Sequence, residues 1–197
     1  SSTGNRTVYV RAINSDSTNY STPSSSVSKT VTVYSVSLSR GTGISSVTGA
    51  GNYISGATVT LGATVSTGYT WSKWTNSSGG QVSTTRSYSD TISGNWSYTA
   101  NATANELTFN GATLSEGTYG TSYTSGAFAG ASNGTGNYTY TIKSGAPTGA
   151  SIDGTNGANR RIKFTNTTPA GTYNVVVTAT DTGSGKTKDA TFVAKIN

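Results

Sequence analysis

The sequence predicts an all-β protein built from small modules in tandem, and three observations support that fold class. Apolar and polar residues alternate over short stretches, as in Val59-Thr60-Leu61-Gly62-Ala63-Thr64-Val65, and a period of two is typical of a half-buried strand. Clusters of Gly, Ser, Thr and Asn separate these stretches, as turns do. The 197 residues include 12 Tyr, 4 Phe and 3 Trp, residue types that favour pleated surfaces.

Residues 1–34 contain two strand predictions. Residues 7–12 and 29–33 alternate, and a polar loop at residues 14–26 separates them. A lone hairpin is marginally stable in water. We therefore expect this segment to pack on the next module, or to belong to a sheet whose other strands are missing.

The end of the chain has the same layout. Residues 171–181 and 188–196 are strand predictions on either side of a Gly/Ser turn, and this repeats the pattern of residues 7–33. We expect residues 1–34 to be the last two strands of a domain like the C-terminal one. Two interpretations stay open, namely a domain that was cut, or a strand-donating element that completes a neighbour's sheet.

Two complete modules are predicted after this segment. Residues 35–103 form the middle module, which contains the stretch Gly68-Tyr69-Thr70-Trp71-Ser72-Lys73-Trp74. Residues 104–197 form the last module, whose short strands are regularly spaced between turn signals, a pattern typical of a β-sandwich.

Composition excludes several kinds of chemistry. The chain has no His and no Cys, which excludes Ser-His-Asp and Cys-His mechanisms, and we expect no enzyme, no catalytic residue and no cofactor. The net charge is +6, but the basic residues are scattered, whereas nucleic-acid footprints cluster. No apolar run approaches the ~20 residues of a membrane helix. We therefore expect neither nucleic-acid binding nor membrane insertion of this fragment.

The acids of the last module are too few and too dispersed to predict a metal site. Calcium needs several converging oxygens, and Asp153 and Asp181 are better explained as turn residues. The other two acids considered, Glu116 and Asp189, belong to no Asp-x-Asp run.

Three aromatic residues are candidates for facing a ligand: Tyr69, Trp71 and Trp96. Aromatic faces suit the apolar faces of sugar rings at little cost in conformational entropy. The competing interpretation is that at least two of Trp71, Trp74 and Trp96 pack in a module core, since aromatic burial dominates small cores.

The middle module resembles the divergent internalin-type B-repeat of bacterial surface proteins. The residues that carry this resemblance occur in the order Tyr34-Ser35-Val36-Ser37-Leu38, Gly41-Thr42-Gly43-Ile44, Gly56-Ala57-Thr58-Val59, Gly68-Tyr69-Thr70-Trp71-Ser72-Lys73-Trp74 and Tyr98-Thr99-Ala100-Asn101-Ala102. The resemblance implies a small β-grasp-like unit that is used in tandem outside the cell.

Residues 104–197 resemble the immunoglobulin-like, cadherin-like domains of bacterial surface proteins. The matching residues are Gly145-Ala146-Pro147-Thr148-Gly149, Phe164-Thr165, and Pro169-Ala170-Gly171-Thr172-Tyr173-Asn174-Val175-Val176-Val177-Thr178-Ala179-Thr180-Asp181. The resemblance implies an Ig-like β-sandwich. The family context also implies the hypothesis of an intramolecular Lys–Asn isopeptide bond, for which Lys163 or Lys188 and Asn197 or Asn174 are the candidate pairs.

These observations predict a structural spacer of a bacterial cell-surface or secreted protein, forming part of a stalk or fibre. A variant of this prediction is self-assembly through the N-terminal strands. The alternative is an adhesion or carbohydrate-binding module. The expected partners are neighbouring modules of the same chain or identical subunits, together with a glycan or host-surface ligand in the alternative, and the expected location is the bacterial surface or extracellular space.

Overall fold

The computed structural model describes residues 3–10, 27–154 and 160–197, and within them all regular structure is β. The predicted loop at residues 14–26, with Arg11 and Ala12 of the first predicted strand, lies outside the described residues. The chain divides into two compact units: Ser1–Val65 with Trp71–Ala102, and Ser66–Thr70 with Thr103–Asn197.

In residues 3–10 and 27–104, which the structure describes, nine strands occur. They are β1 (Gly4–Val10), β2 (Val27–Arg40), β3 (Ile44–Thr48), β4 (Gly51–Ile54), β5 (Thr58–Val65), β6 (Tyr69–Asn76), β7 (Gln81–Ser83), β8 (Tyr88–Thr91) and β9 (Trp96–Ala104). They form two sheets. One has the order β1-β2-β9-β6-β7, with β4 also paired to β2, and the other has the order β3-β5-β8.

Strand β2 connects the N-terminal hairpin to the rest of the first unit. Its first half pairs antiparallel with β1, from Gly4↔Val33 to Val10↔Val27. Its second half pairs antiparallel with β4 and parallel with β9. The boundary predicted between residues 34 and 35 therefore lies inside a continuous strand. The assignment of residues 1–34 to an Ig-like domain stays a prediction.

The core of the first unit lies between its two sheets. It contains Val36, Trp74, Trp96 and Ala100 from the larger sheet and Ile44, Val59 and Leu61 from the smaller one, together with Ile92. The alternation predicted for β5 is confirmed, since Val59 and Leu61 are buried while Thr58 and Thr60 are exposed. No helix occurs in residues 35–103, all of which are described. The smaller sheet covers the larger one, where a β-grasp would place its helix.

The described residues of the last module, which exclude 155–159, form six strands. They are β10 (Tyr123–Thr124), β11 (Tyr138–Ser144), β12 (Ser151–Asp153), β13 (Arg161–Phe164), β14 (Gly171–Asp181) and β15 (Thr187–Ile196). One sheet has the order β10-β13-β12 and the other β11-β14-β15. Residues 112–117 run beside β15 through the parallel bridges Thr113↔Val193 and Gly117↔Ile196.

This strand order corresponds to strands B, E and D of one sheet and to the C-F-G sheet of an immunoglobulin-type sandwich. The core of the sandwich is aromatic and aliphatic, with Phe192, Val175 and Val177 from one sheet and Ile162 and Phe164 from the other. The predicted fold class is confirmed: the chain is all-β and consists of tandem small modules.

Candidate functional site

Trp71 and Trp74 lie on β6 and pack against each other. Their ring centroids are 5.5 Å apart with an interplanar angle of 61°. Trp74 has an exposed fraction of 0%, and its indole N–H donates to the carbonyl oxygen of Arg86 at 3.2 Å. Trp71 is half-buried, and its N–H donates to the carbonyl oxygen of Thr84 at 2.7 Å. Both indoles thus hold the loop after β7 to the unit.

Trp96 is the third tryptophan, and it lies at the start of β9 with an exposed fraction of 9%. The prediction that at least two of the three tryptophans pack in a core is confirmed by Trp74 and Trp96. Tyr69 is half-buried and its hydroxyl donates to the carbonyl oxygen of Gly183 at 3.4 Å. Tyr69 clusters with the second unit and Trp71 and Trp96 with the first. A ligand-facing role for the three stays a prediction.

A different group of residues forms the most site-like constellation of the first unit. Strand β8 lies at the edge of its sheet and pairs with β5. Tyr88 and Asp90 lie opposite the buried residues Leu61 and Val59. Directly opposite residues share a face of a sheet, so the Tyr88 and Asp90 side chains point toward the layer that contains β9.

Two aromatic residues of β9 complete this group. Trp96 and Tyr98 stack with centroids 5.4 Å apart and planes 22° apart, and the centroid of Tyr88 lies 6.5 Å from that of Trp96. The Tyr88 hydroxyl donates to Oδ2 of Asp90 at 2.7 Å. We call Tyr88, Asp90, Trp96 and Tyr98 the edge cluster.

The electrostatics of the edge cluster keep its tyrosines protonated and its aspartate ionised. Burial, followed by the hydrogen bond to Asp90 and the charges of Asp90 and Tyr98, raises the pKa of Tyr88 to about 12. Burial and the Asp90 charge also raise the pKa of Tyr98. The hydrogen bond from Tyr88 lowers the pKa of Asp90, assisted by the Thr91 N–H.

The edge cluster offers aromatic surface beside an exposed carboxylate acceptor. Aromatic rings and a carboxylate are suited to the C–H faces and hydroxyl groups of a sugar. The structural explanation for Asp90 is that a charge pointing inward on an edge strand opposes edge-to-edge pairing with another sheet. The arrangement contains no activated nucleophile.

Sequence reasoning found Trp96 but assigned no role to the other three residues of the edge cluster. Tyr88 and Asp90 are two residues apart, and so are Trp96 and Tyr98, a spacing that places each pair on one face of its strand. That spacing was the available signal. The proximity of the two pairs depends on how β8 and β9 are placed, which no local pattern specifies.

Asp181 is a buried carboxylate in the second unit, with an exposed fraction of 0% at the end of β14. Burial raises its pKa, but hydrogen bonds from Ser184, Thr135 and Gly183 outweigh that effect and leave the pKa below its ordinary value. The group therefore stabilises the turn between β14 and β15, as the prediction of a strand-end turn residue implied.

The remaining acids of the second unit pair individually with lysines. Asp153 lies 3.0 Å from Lys163, and Glu116 lies 3.2 Å from Lys195. No group of three potential metal-binding side chains occurs among the described residues. The Lys163 side chain is 47% exposed, and Lys188 is exposed as well. Neither lysine has the apolar surroundings that isopeptide chemistry needs to neutralise an amine.

One of the comparisons with known proteins matches the middle of the chain. Residues 34–106 match the family model of the Divergent InlB B-repeat domain, which confirms the resemblance found for the middle module and makes it similar to a bacterial surface-protein module. No curated protein is significantly similar to this chain. The described residues contain no helix that is long and apolar enough to cross a membrane.

Proposed function

We propose that this chain is a spacer region of a bacterial cell-surface or secreted protein, in which consecutive β-modules hold a working domain away from its anchor. The observation that carries this proposal is β2, a single strand of 14 residues that pairs with β1 at one end and with β4 and β9 at the other. At about 3.3 Å per residue, such a strand spans about 46 Å. No flexible linker interrupts it.

The match to the B-repeat family at residues 34–106 supports a surface or extracellular location. The composition supports a spacer that binds no other macromolecule, because charged residues make up only 10% of the chain. Charged patches give surfaces much of their attraction for other macromolecules. The tryptophans also support it, since Trp74 and Trp96 are used for packing.

A replacement experiment tests the spacer role. A bacterial display carrier is built with this chain between its anchor and an epitope, and the height of the epitope above the cell surface is measured. An unrelated pair of rigid β-modules should preserve that height, whereas a Gly/Ser linker of equal residue number should reduce it, because such linkers behave as random coils. Equal heights for the chain and the Gly/Ser linker would reject the proposal.

Self-assembly through the N-terminal strands is a variant of the same proposal. The outer edge of β1 has no strand partner among the described residues, and an open edge can accept a strand from another subunit. Deletion of residues 1–26 removes β1 and leaves β2 intact. Filaments in electron micrographs that disappear on this deletion would establish the variant, whereas monomers in both samples would reject it.

The edge cluster favours carbohydrate binding as the second candidate function. The proposed ligand is a glycan whose apolar face stacks on Tyr98 and whose hydroxyl groups donate to Asp90. On a glycan array, Tyr98→Ala should weaken binding about tenfold or more, because the aromatic face on which the glycan stacks is lost. Tyr119→Ala, at a residue that is 62% exposed in the other unit, is the control and should leave binding unchanged. An array without a bound glycan would reject this candidate.

A further inference from the structure

The N-terminal hairpin repeats the residue pattern of the last hairpin of the chain, in which a glycine of the first strand pairs with an apolar residue of the second. In the last hairpin Gly171 pairs with Ile196, and in the first hairpin Gly4 pairs with Val33. A hairpin register is set by the hydrophobic pattern and the turn. We therefore align the two hairpins on these glycines and their apolar partners, and compare the residues that follow.

The equivalence extends along both strands. Four residues after Gly4, Val8 pairs with Lys29. Four residues after Gly171, Val175 pairs with Phe192. Two residues further, the first hairpin pairs Val10 with Val27 and the last one pairs Val177 with Ala190. Valine thus occupies both corresponding positions of β1 and β14.

The two hairpins differ in what covers them. Val175 and Phe192 have exposed fractions of 0% because the other sheet of the sandwich packs on them. Val8, at the position of Val175, is 52% exposed, and every residue of the chain from 3 to 8 is exposed. Within the part of the chain that the structure describes, the first hairpin therefore presents the core-facing pattern of an immunoglobulin-type sandwich without its covering layer.

The last module shows which elements cover such a hairpin. Strand β11 pairs antiparallel with the outer edge of β14, and the sheet β10-β13-β12 supplies Ile162 and Phe164 to the shared core. We propose that β1 and the first half of β2 are the last hairpin of a second immunoglobulin-type sandwich. The occupant of the exposed face is a layer of strands arranged as β10 to β13 are in the last module.

A second copy of this chain fits the face less well. Its own covering residues are already in use, since Ile162 is 0% exposed and Phe164 is 3% exposed in their own core. Pairing of two β1 edges would satisfy backbone groups but would leave Val8 in water. Lys29 adds a requirement, because it stands where Phe192 lies in the last hairpin. The covering layer must give its ammonium group an acidic or solvent-exposed place.

The consequence is that β2 is shared between two modules, as the last strand of one and the first strand of the next. This inference rests on the tandem-module part of the proposed function and does not depend on the spacer role. It predicts that Val8 becomes buried when a covering layer is supplied.

A graft of the chain's own covering layer tests the proposal. Residues 104–170 are joined directly to Gly4 of the full chain, which reproduces the junction that precedes Gly171. The chain has no Cys, so Val8→Cys supplies a single thiol whose reaction with a maleimide is timed. The graft should slow this reaction at least about a hundredfold, since only opening of the covered hairpin would expose the thiol.

Two controls calibrate the graft. Ser37→Cys, at an exposed position of β2, should react at the same rate with and without the graft, and Val175→Cys should be protected in both. A second graft carries Lys29→Phe to restore the match to Phe192. Unchanged labelling of Val8→Cys in both grafts would overturn the proposal, whether or not the grafted layer folds. Protection in the ungrafted chain that rises with protein concentration would also overturn it and identify a second copy as the occupant.

Discussion

The backbone N–H of Thr135 donates a hydrogen bond of 3.0 Å to Oδ2 of Asp181, and the Thr135 hydroxyl donates to Oδ1. The Ser184 hydroxyl donates to Oδ2 as well. A fully buried carboxylate is thus stabilised by neutral donors from two loops, with no lysine or arginine among its hydrogen-bond donors. Such an arrangement holds the loop before β11 and the turn after β14 in one geometry.

Replacement of Asp181 by Asn should destabilise the second unit by about 2–3 kcal/mol. The amide N–H₂ group of Asn would replace one carboxylate oxygen of Asp181 and would face a hydrogen-bond donor that the oxygen accepts from. Hydrogen bonds to charged groups contribute about 1.5–3 kcal/mol. Urea unfolding monitored by circular dichroism measures the loss. Asp189→Asn, at an acid that pairs with Lys143 at the surface, should change stability little. Equal losses in the two variants would contradict the buried role of Asp181.

The pH dependence of stability should carry the signature of the same group. The pKa of Asp181 is lowered in the folded state, so its contribution is fully present above the unfolded-state pKa of about 3.9. The contribution is lost as pH falls through the lower folded-state pKa. Unfolding free energies between pH 2 and pH 6 should therefore fall less steeply in Asp181→Asn than in the parent. Parallel curves would show that Asp181 does not contribute.

Trp74→Ala should be among the most destabilising changes in the first unit, at about 3–5 kcal/mol, because it removes a fully buried indole and leaves a cavity. Trp71→Ala is the matched comparison on the same strand. It should cost less, about 1–2 kcal/mol, because Trp71 is only half-buried and loses less buried area. Thermal unfolding measures both losses. A larger loss for Trp71 would reverse the assignment of core roles.

Asp90→Asn should lower the pKa of Tyr88 from about 12 toward the value of about 10 for a free tyrosine. The shift should be partial, because burial is the largest cause of the elevation and is not removed by the substitution. Titration of labelled tyrosine ring carbons by NMR measures the change. An unchanged pKa would show that the carboxylate does not interact with the Tyr88 hydroxyl in solution.

Gly145→Ala should be far more harmful than Gly120→Ala. Both glycines have positive φ, at 74° and 82°, so the backbone strain of an L-residue is common to both, at about 1–2 kcal/mol. A Cβ at Gly145 would lie 1.8 Å from the carbonyl oxygen of Asn174, whereas Gly120 has open space. We expect loss of the folded second unit in Gly145→Ala and a modest decrease in melting temperature in Gly120→Ala. Similar melting temperatures would show that the Gly145 turn can move.

Local patterns predicted the strands well where one face is buried. Residues 171–181 and 188–196 were predicted as strands and correspond to β14 and β15, because a buried face imposes an alternation that is visible in sequence. The inward residues of β5 were predicted for the same reason. Short edge strands such as β7 and β8 bury little and leave no such alternation.

Contacts between distant strands were not predictable from local pattern. The parallel pairing of Val36 with Trp96 joins residues from opposite ends of the middle module, and an alternating strand does not specify its neighbours. The edge cluster depends on this pairing and on the placement of β8. For that reason the sequence identified Trp96 but not its relation to Tyr88 and Asp90.

The parallel pairing has a mechanical consequence. In the first unit β2 and β9 are parallel neighbours, and in the second unit residues 112–117 run parallel to β15. Tension that enters a unit along its early strand and leaves along its late strand pulls the two in opposite directions along their axes. All the hydrogen bonds between them then carry load at once, in shear, and none can be unzipped singly. Once β1 has been pulled away from β2 in the first unit, each unit is therefore expected to withstand a greater force in optical tweezers than a module whose terminal strands form a hairpin.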